Sequence, residues 1–300
     1  MTRVTRRPAR PPPAVRGTEH GGDPVKTRAT TLTALAAVAL ATGCSAADTG
    51  GAGNAPDGEQ VSGSRLDEIL ESGTLRVCTT GDYRPFTYLD PATDDFTGID
   101  VDMARDLADD MGVEVEWVRT SWDDLMGDFL SSCDIAAGGI SISTERARQV
   151  YFSAALMEDG KTPITLCENV DDYRTIEQIN QPGVRSIMPS GGTNEVFAEE
   201  HYPEGELIRH DNNTVFEEII AGNADVMTTD ASETLWAANE HEELCAVHPD
   251  EPFDYFEKAF MLPLGDEVLK HYVDQWLNIA LNDGTWDGIV EPWFGEDVEL

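Results

Sequence analysis

Positive charge is what this chain has least of. Lysine and arginine together number 20 against 57 aspartate and glutamate residues, a formal net charge of −37. Setting aside the seven basic and two acidic side chains of the first 44 residues leaves 13 basic and 55 acidic, a net of −42. A surface of that sign repels a phosphate backbone, so nucleic-acid binding is excluded. It also repels itself unless salt screens it, and a salty working medium is expected. Cysteine is sparse at five and histidine at six. There is no C-x-x-C and no Cys/His run with zinc-ligand spacing, so neither a metal site nor a cofactor is expected. The longest apolar stretch near the N-terminus, Leu32 to Ala41, is too short to span a bilayer.

That stretch has another reading. Arg3, Arg6, Arg7, Arg10, Arg16, Lys26 and Arg28 precede it, and Ala41-Thr42-Gly43-Cys44 follows. A positive region, a short apolar region and small residues at the end form a signal-peptide layout over residues 1–44. The small residues before a single cysteine resemble a bacterial lipoprotein box with Cys44 as the lipid-bearing residue. Ala41 stands where that box usually has Leu. The basic, Pro-rich segment from Met1 to Asp23 is long for a positive region, and a translation start near Val25 is expected. Residues 45–64 are rich in Gly, Ala, Ser and Asp without apolar periodicity and read as a flexible tether.

Four cysteines remain, Cys78, Cys133, Cys167 and Cys245. An even number in an exported chain points to disulfides. The expected pairs are Cys78–Cys133 and Cys167–Cys245, one in each half of the chain, although sequence alone leaves other connectivities open.

From Thr74 onward, β-rich runs alternate with amphipathic helices. Helices are expected over Arg65–Ser72, Ile99–Met111, Trp122–Leu130, Glu145–Val150, Asn194–His201, Thr214–Ala221, Glu233–Asn239, Asp266–Asn282 and Thr285–Phe294. Strands are expected at Thr74–Thr80, Val113–Val118, Cys133–Ala137, Pro163–Cys167, Val184–Met188, Glu206–Arg209, Ala224–Thr228 and Phe256–Leu262. A hairpin about Asp90-Pro91 joins Phe86–Tyr88 to Phe96-Thr97. This βα grammar implies two α/β lobes, each with a mostly parallel sheet, and a cleft between them. The chain crosses near Lys161 and returns near Phe256. Residues 65–161 and 257–300 then form the first lobe and 162–256 the second. Ligands of such sheets sit at the carboxyl ends of the strands.

Gly138-Gly139-Ile140-Ser141-Ile142-Ser143-Thr144-Glu145-Arg146 lies at one such end. Two glycines permit a tight turn with exposed N–H groups, and Arg146 supplies a fork that suits a carboxylate. Read without context, it is equally a capped helix with a surface arginine. Asp82, Ser141 and Arg146 all fall at or just after strand ends, which favours a site.

Longer motifs carry a family resemblance. Gly98-Ile99-Asp100-Val101-Asp102-Met103, Gly138 to Arg146, Gly191-Gly192-Thr193, Asp283-Gly284 and Trp293-Phe294-Gly295 resemble the bacterial family 3 extracellular solute-binding proteins, over about Leu75 to Gly295. Five further stretches resemble the branch of that family made up of exported cyclohexadienyl dehydratases. They are Val77 to Tyr83, Asp159 to Pro163, Gly191 to Glu195, Thr229 to Thr234 and Cys245 to Asp250. The resemblance implies a type II periplasmic-binding-protein-like fold with hinged lobes and a central cleft. It implies decarboxylating dehydration of prephenate to phenylpyruvate, or of arogenate to phenylalanine. The competing reading is a lipid-anchored protein that hands an amino acid to an ABC permease.

Under the dehydratase reading Glu233 is the general acid, helped by Lys161 and Asn194. Arg146 takes a carboxylate, Ser141, Thr193 and Asp82 offer polar contacts, Trp122 walls the pocket, and Gly139 lets the backbone approach. Arg84 is a weaker cationic candidate. Each has a plainer reading: Glu233 as a helix first-turn acid, Lys161 as a solvated lysine, Asn194 and Thr193 as caps, Asp82 as a turn residue, Trp122 as core. For catalysis, burial must raise the Glu233 pKa more than Lys161 and a helix N-terminus lower it.

Overall fold

A computed structural model describes residues 63–294. The expected signal peptide, Cys44 and all but the end of the expected tether lie outside the described residues. The chain runs α1 (Arg65–Ser72), β1 (Thr74–Thr79), β2 (Asp82–Tyr83), β3 (Thr87–Asp90), β4 (Asp95–Thr97), α2 (Ile99–Met111), β5 (Glu114–Arg119), α3 (Leu125–Ser132), β6 (Ile135–Ala136), β7 (Val150–Phe152), β8 (Met157–Asp159) and β9 (Lys161–Leu166). It continues α4 (Ile176–Ile179), β10 (Arg185–Met188), α5 (Thr193–His201), β11 (Glu206–Arg209), α6 (Val215–Ile220), β12 (Val226–Asp230), α7 (Ala231–Glu240), β13 (Leu244–Ala246), β14 (Phe256–Lys258), β15 (Met261–Pro263), α8 (Glu267–Ala280) and α9 (Thr285–Phe294).

Two five-stranded sheets organise these elements, ordered β5-β1-β6-β15-β7 and β11-β10-β12-β9-β13. The order is the same in both: second strand, first, third, then a strand that arrives from the other half of the chain. This is the two-lobed type II arrangement. The pairings β1–β5, β1–β6, β10–β11 and β10–β12 are parallel, as the βα alternation requires. The visiting strands β15 and β9 run antiparallel to their neighbours. Each sheet is therefore mixed rather than mostly parallel, because a strand entering from the opposite lobe points the other way.

Local chemistry accounts for the helices. Ser64 caps α1 by accepting from the Leu66 N–H, and Gly73 ends the helix in the left-handed region. α2 buries Ile99, Val101, Met103, Ala104, Leu107 and Ala108 on one face. Its Leu107 joins Leu75, Val77, Phe260 and Trp276 in the core of the first sheet. A separate core gathers Ile164, Ile187, Val215, Ile219 and Met227 about the second sheet. The disulfides Cys78–Cys133 and Cys167–Cys245 are both formed.

The two crossings lie side by side as β8 and β14, an antiparallel pair matching Phe256 with Asp159 and Lys258 with Met157. A Cβ on Gly160 would meet the Asp254 carbonyl oxygen at 2.2 Å, so only glycine lets the crossing strands come this close.

The sequence reading did not anticipate α4, β8 and β13, and three of the elements it expected take a different form. Glu145–Val150 is not a helix: Arg146–Arg148 makes one 3-10 turn, and Val150-Tyr151-Phe152 enters β7 against β15. No helix N-terminus therefore backs Arg146. α3 begins at Leu125 rather than Trp122, with the Ser121 hydroxyl accepting from the Asp124 N–H. The expected strand Phe256–Leu262 breaks at Ala259-Phe260 into β14, in the crossing, and β15, in the first sheet.

Candidate active site

Trp122, Gly139, Ser141, Arg146, Thr193 and Asn194 line one cavity together with Tyr83, Pro189, Gly192, Asn212 and Asp230. At about 20 Å³ it has room for little more than a water molecule, so the cleft is nearly shut. Residues from both sheets contribute, so the cavity is the cleft. The Gly138-Gly139 turn is held by Asp100, whose Oδ2 accepts both N–H groups at 2.8 and 2.7 Å. Gly139 has φ +70°, and a Cβ there would strike the Tyr83 ring at 2.5 Å. The glycine thus lets the aromatic wall and the turn touch. Trp122 meets Tyr83 edge-on at 5.6 Å.

Arg146 is half-buried and donates from Nη1 to the Ser141 carbonyl at 3.0 Å. Burial lowers its pKa, offset by the nearby Asp230 and Glu145 carboxylates. Among the described residues no carboxylate pairs with it. Its remaining donors are free to hold an anion in the cavity.

At the back of the cavity, where Asp230 and Tyr83 form part of the wall, lies a dense ionic cluster. Asp230, at the end of β12, is 2 % exposed and takes Lys161 Nζ at 2.5 Å on one oxygen. Lys258 Nζ and the Tyr83 hydroxyl both donate to the other oxygen. Burial alone would push the Asp230 pKa up, but the two ammoniums outweigh it and hold the carboxyl well below the usual range. Asp230 thus leads into α7 without capping it; its side chain is committed to the lysines.

Glu233 lies in the first turn of α7 and is 1 % exposed. Burial raises its pKa to about 8, with the Asp230 charge adding to the rise. The Thr229 hydroxyl bond and the charges of Lys258 and Lys161 pull the other way and lose. The carboxyl is therefore protonated at neutral pH, as a general acid requires. It does not itself line the cavity. Its Oε1 accepts from Asn212 Nδ2 at 3.3 Å, and Asn212 does line it. Its Oε2 is held by the Thr229 hydroxyl.

Lys161 is likewise one layer back. Its ammonium grips Thr193 Oγ1 at 2.9 Å and Asn194 Oδ1. The Asn194 amide nitrogen then donates to Thr229 Oγ1 at 2.8 Å. A chain of contacts runs Lys161, Asn194, Thr229, Glu233. Asp82 does not reach Lys161 or the main cavity. It borders an adjoining cleft with Trp122, Pro189 and Asn212, and its Oδ1 is buried without a partner. Burial raises its pKa. Arg84 stacks over the Tyr88 ring, 3.4 Å from the centroid, away from the cavity lining and without a paired aspartate. Among the described residues, no cluster of three His, Cys, Asp or Glu could hold a metal.

Lys258, Tyr83, Asn212 and the ionic role of Asp230 were not singled out from sequence. Tyr83 and Asp230 stood inside recognised motifs, next to residues that were chosen. Lys258 had one signal, a lone cation directly before the apolar run Ala259-Phe260-Met261-Leu262.

Residues 75–296 match the model of the bacterial extracellular solute-binding proteins, family 3. The chain belongs to that family. Membership implies export and a small amino-acid-like ligand, and no helix among the described residues is long and apolar enough to cross a membrane. Over 238 residues the chain is 51% identical to a cyclohexadienyl dehydratase of Pseudomonas aeruginosa, covering 78% of this chain and 87% of that one. It is 27% identical over 237 residues to an L-cystine-binding protein of Escherichia coli, covering 78% and 87%. Among solved structures it resembles an ancestral amino acid-binding protein described as a precursor of cyclohexadienyl dehydratase. There the TM-score is 0.70 and the identity 35%, over 77% of this chain and all of that one. An ancestral cyclohexadienyl dehydratase matches with TM-score 0.51 and 45% identity, over 78% and 98%.

Proposed function

We propose that the protein is a cyclohexadienyl dehydratase, converting prephenate to phenylpyruvate, arogenate to phenylalanine, or both. The observation that carries this is Glu233: a carboxylic acid kept protonated near pH 7 beside a cation-rich cleft. A buried acid whose ionised form is disfavoured, joined to the cavity wall through Asn212, is placed as a general acid would be. Similarity to the Pseudomonas dehydratase supports the same reading.

In the reaction the bond from the ring to its carboxylate breaks and CO₂ leaves. The electron pair moves into the ring, which becomes aromatic as the opposite carbon–oxygen bond breaks. The departing hydroxyl takes a proton from Glu233 and leaves as water. Glu233 ends ionised and is reprotonated from solvent. Arg146 holds the side-chain carboxylate, Ser141 and Thr193 give polar contacts, and Trp122 and Tyr83 flank the ring. The long 3.3 Å contact from Asn212 is the weakest hold on Glu233, and the substrate hydroxyl displaces it to reach Oε1. Lys161 acts as a positioning residue, fixing Glu233 through Asn194 and Thr229. Arg146, Lys161 and Lys258 supply the positive charge that an anionic substrate needs, against Asp230 and the nearby Asp100, Asp159 and Glu145 carboxyls, of which burial raises the pKa of Asp100 and Asp159. The lobes, 65–161 with 257–300 and 162–256, close on it about the β8–β14 crossing, and Asp82 borders the cleft mouth. Cys44 carries a lipid that anchors the exported protein to the membrane.

The test is purified protein with prephenate, following phenylpyruvate by its absorbance in alkali. Turnover that Glu233→Gln abolishes, with prephenate binding kept, is expected. Tight binding of an amino acid with no turnover would instead assign the protein to an ABC permease.

A further inference from the structure

The helix that carries Glu233 is capped by a distant part of the chain. Asp230-Ala231-Ser232-Glu233 has the spacing of a capping box, in which the cap side chain and the acid three residues on take up N–H groups of the first turn. That box is not formed. Asp230 makes no capping bond and is committed to the lysines, and the Glu233 oxygens face the Thr229 hydroxyl and the Asn212 amide. The donors at the start of α7 go instead to Asp159, which ends the crossing strand β8, and to Gly160 beside it. The Gly160 carbonyl accepts the Ala231 N–H at 2.8 Å. Asp159 Oδ1 accepts the Ser232 N–H at 3.3 Å, and Oδ2 accepts the Ser232 hydroxyl at 2.6 Å. Asp159 is 7 % exposed and also accepts the Gly160 N–H at 2.9 Å. Three donors thus meet one carboxyl, which favours its ionised form. Burial and the Asp230 charge act against that form, and Lys258 acts for it.

We propose that Asp159 is a positioning residue: from the crossing strand it caps α7, fixes the turn that carries Glu233 and keeps the helix N-terminus from acting on that acid. Free N–H groups at a helix N-terminus attract a carboxylate of the first turn and favour its ionised form. An anion already seated there removes that pull, and Glu233 is left to burial. The role rests on Glu233 being the general acid of the proposed dehydratase.

Asp159→Ala and Asp159→Asn test it against the wild type. One readout is the pH at which Glu233 loses its proton, followed by infrared difference spectroscopy through the carbonyl stretch of the protonated acid. The other is steady-state kinetics on prephenate. The groups that face Glu233 from other elements, Asp230, Lys161, Lys258 and Tyr83, are common to all three proteins. Asp159→Ala removes both cap and charge. It is expected to lower the titration of Glu233 by roughly one pH unit from about 8. It should also lower kcat by roughly tenfold with KM held. Asp159→Asn loses the charge but keeps an oxygen for the Ser232 N–H, and should shift the titration less. An unmoved titration in the folded variants would overturn the proposal and leave Asp159 a purely structural cap. Equal shifts in both would overturn it too, since direct repulsion between the carboxyls would then suffice. If Asp159→Ala does not fold, Asp159→Asn decides: a lower titration supports the proposal and a wild-type one overturns it. Failure of the dehydratase reading shows separately, as absent prephenate turnover by the wild type with the infrared shift intact.

Discussion

Replacing Glu233 by glutamine should abolish catalysis and make the protein more stable. The carboxyl is fully buried, and its pKa rises from 4.5 in the unfolded chain to about 8 in the folded one. Between those values the folded state holds a proton that the unfolded state has released. Stability from this group is therefore complete below pH 4.5 and is lost as pH rises through about 8. At about 1.4 kcal/mol per unit, the loss is roughly 3 kcal/mol at pH 7 and levels off near 5 above pH 8. Glutamine has nearly the same shape, accepts from Asn212 through its amide oxygen, and does not titrate. The variant should match the wild type near pH 4.5 and exceed it by about 6–12 °C in Tm at pH 7, taking about 2–4 °C per kcal/mol for a domain of this size. Differential scanning calorimetry of the pair across pH 4.5 to 8.5 measures this. The pH response of the many surface carboxylates cancels in the difference. A Tm difference that is flat with pH, or negative at pH 8, would refute a neutral, desolvated Glu233.

Asp230→Asn leaves two buried ammoniums without their shared anion and should cost roughly 3–5 kcal/mol; the double variant with Lys258→Met should recover much of that, read as a double-mutant cycle on Tm. The same Asp230→Asn change removes a charge that raises the Glu233 pKa, so the alkaline limb of kcat should move to lower pH. Arg146→Lys keeps the charge but loses the fork, and should raise KM for prephenate by roughly tenfold with a smaller change in kcat. Opening the Cys78–Cys133 bridge, which spans a sequence separation of 55, should cost about 4 kcal/mol, measured by denaturant unfolding of the double alanine variant. With a net charge of −42 after residue 44, Tm should rise from low to molar salt; a Tm independent of salt would contradict net self-repulsion.

Much of the architecture was legible in local patterns. Ile99–Met111 is a helix with the expected limits because its apolar spacing, and glycine at both ends, leave no competing reading. The halves of the chain repeat one βα grammar, and the sheets repeat one strand order. Glu145–Val150 misled because Arg-Ala-Arg favours a helix locally, while the following Val-Tyr-Phe gains more by pairing with β15. The strand at Phe256–Leu262 breaks because it serves two sheets, which no window of sequence reveals. For the site, glycine turns and motif residues located Ser141, Arg146, Thr193 and Asn194 on the cavity wall. The sequence reading did not show that Lys161 and Glu233 stand behind that wall, because depth in a cleft is set by long-range packing. Lys258 was passed over for the same reason: its partners lie 28 to 175 residues away along the chain.

The central claim is that one buried carboxyl keeps its proton at neutral pH. Infrared difference spectroscopy of wild type against Glu233→Gln reads that proton directly, through the carbonyl stretch of a protonated acid. A band at pH 7 that is missing from the variant and titrates away near pH 8 is the expected result. A wild type with no such band at pH 7, or with one that disappears near 4.5, would show Glu233 to be an ordinary carboxylate and no general acid.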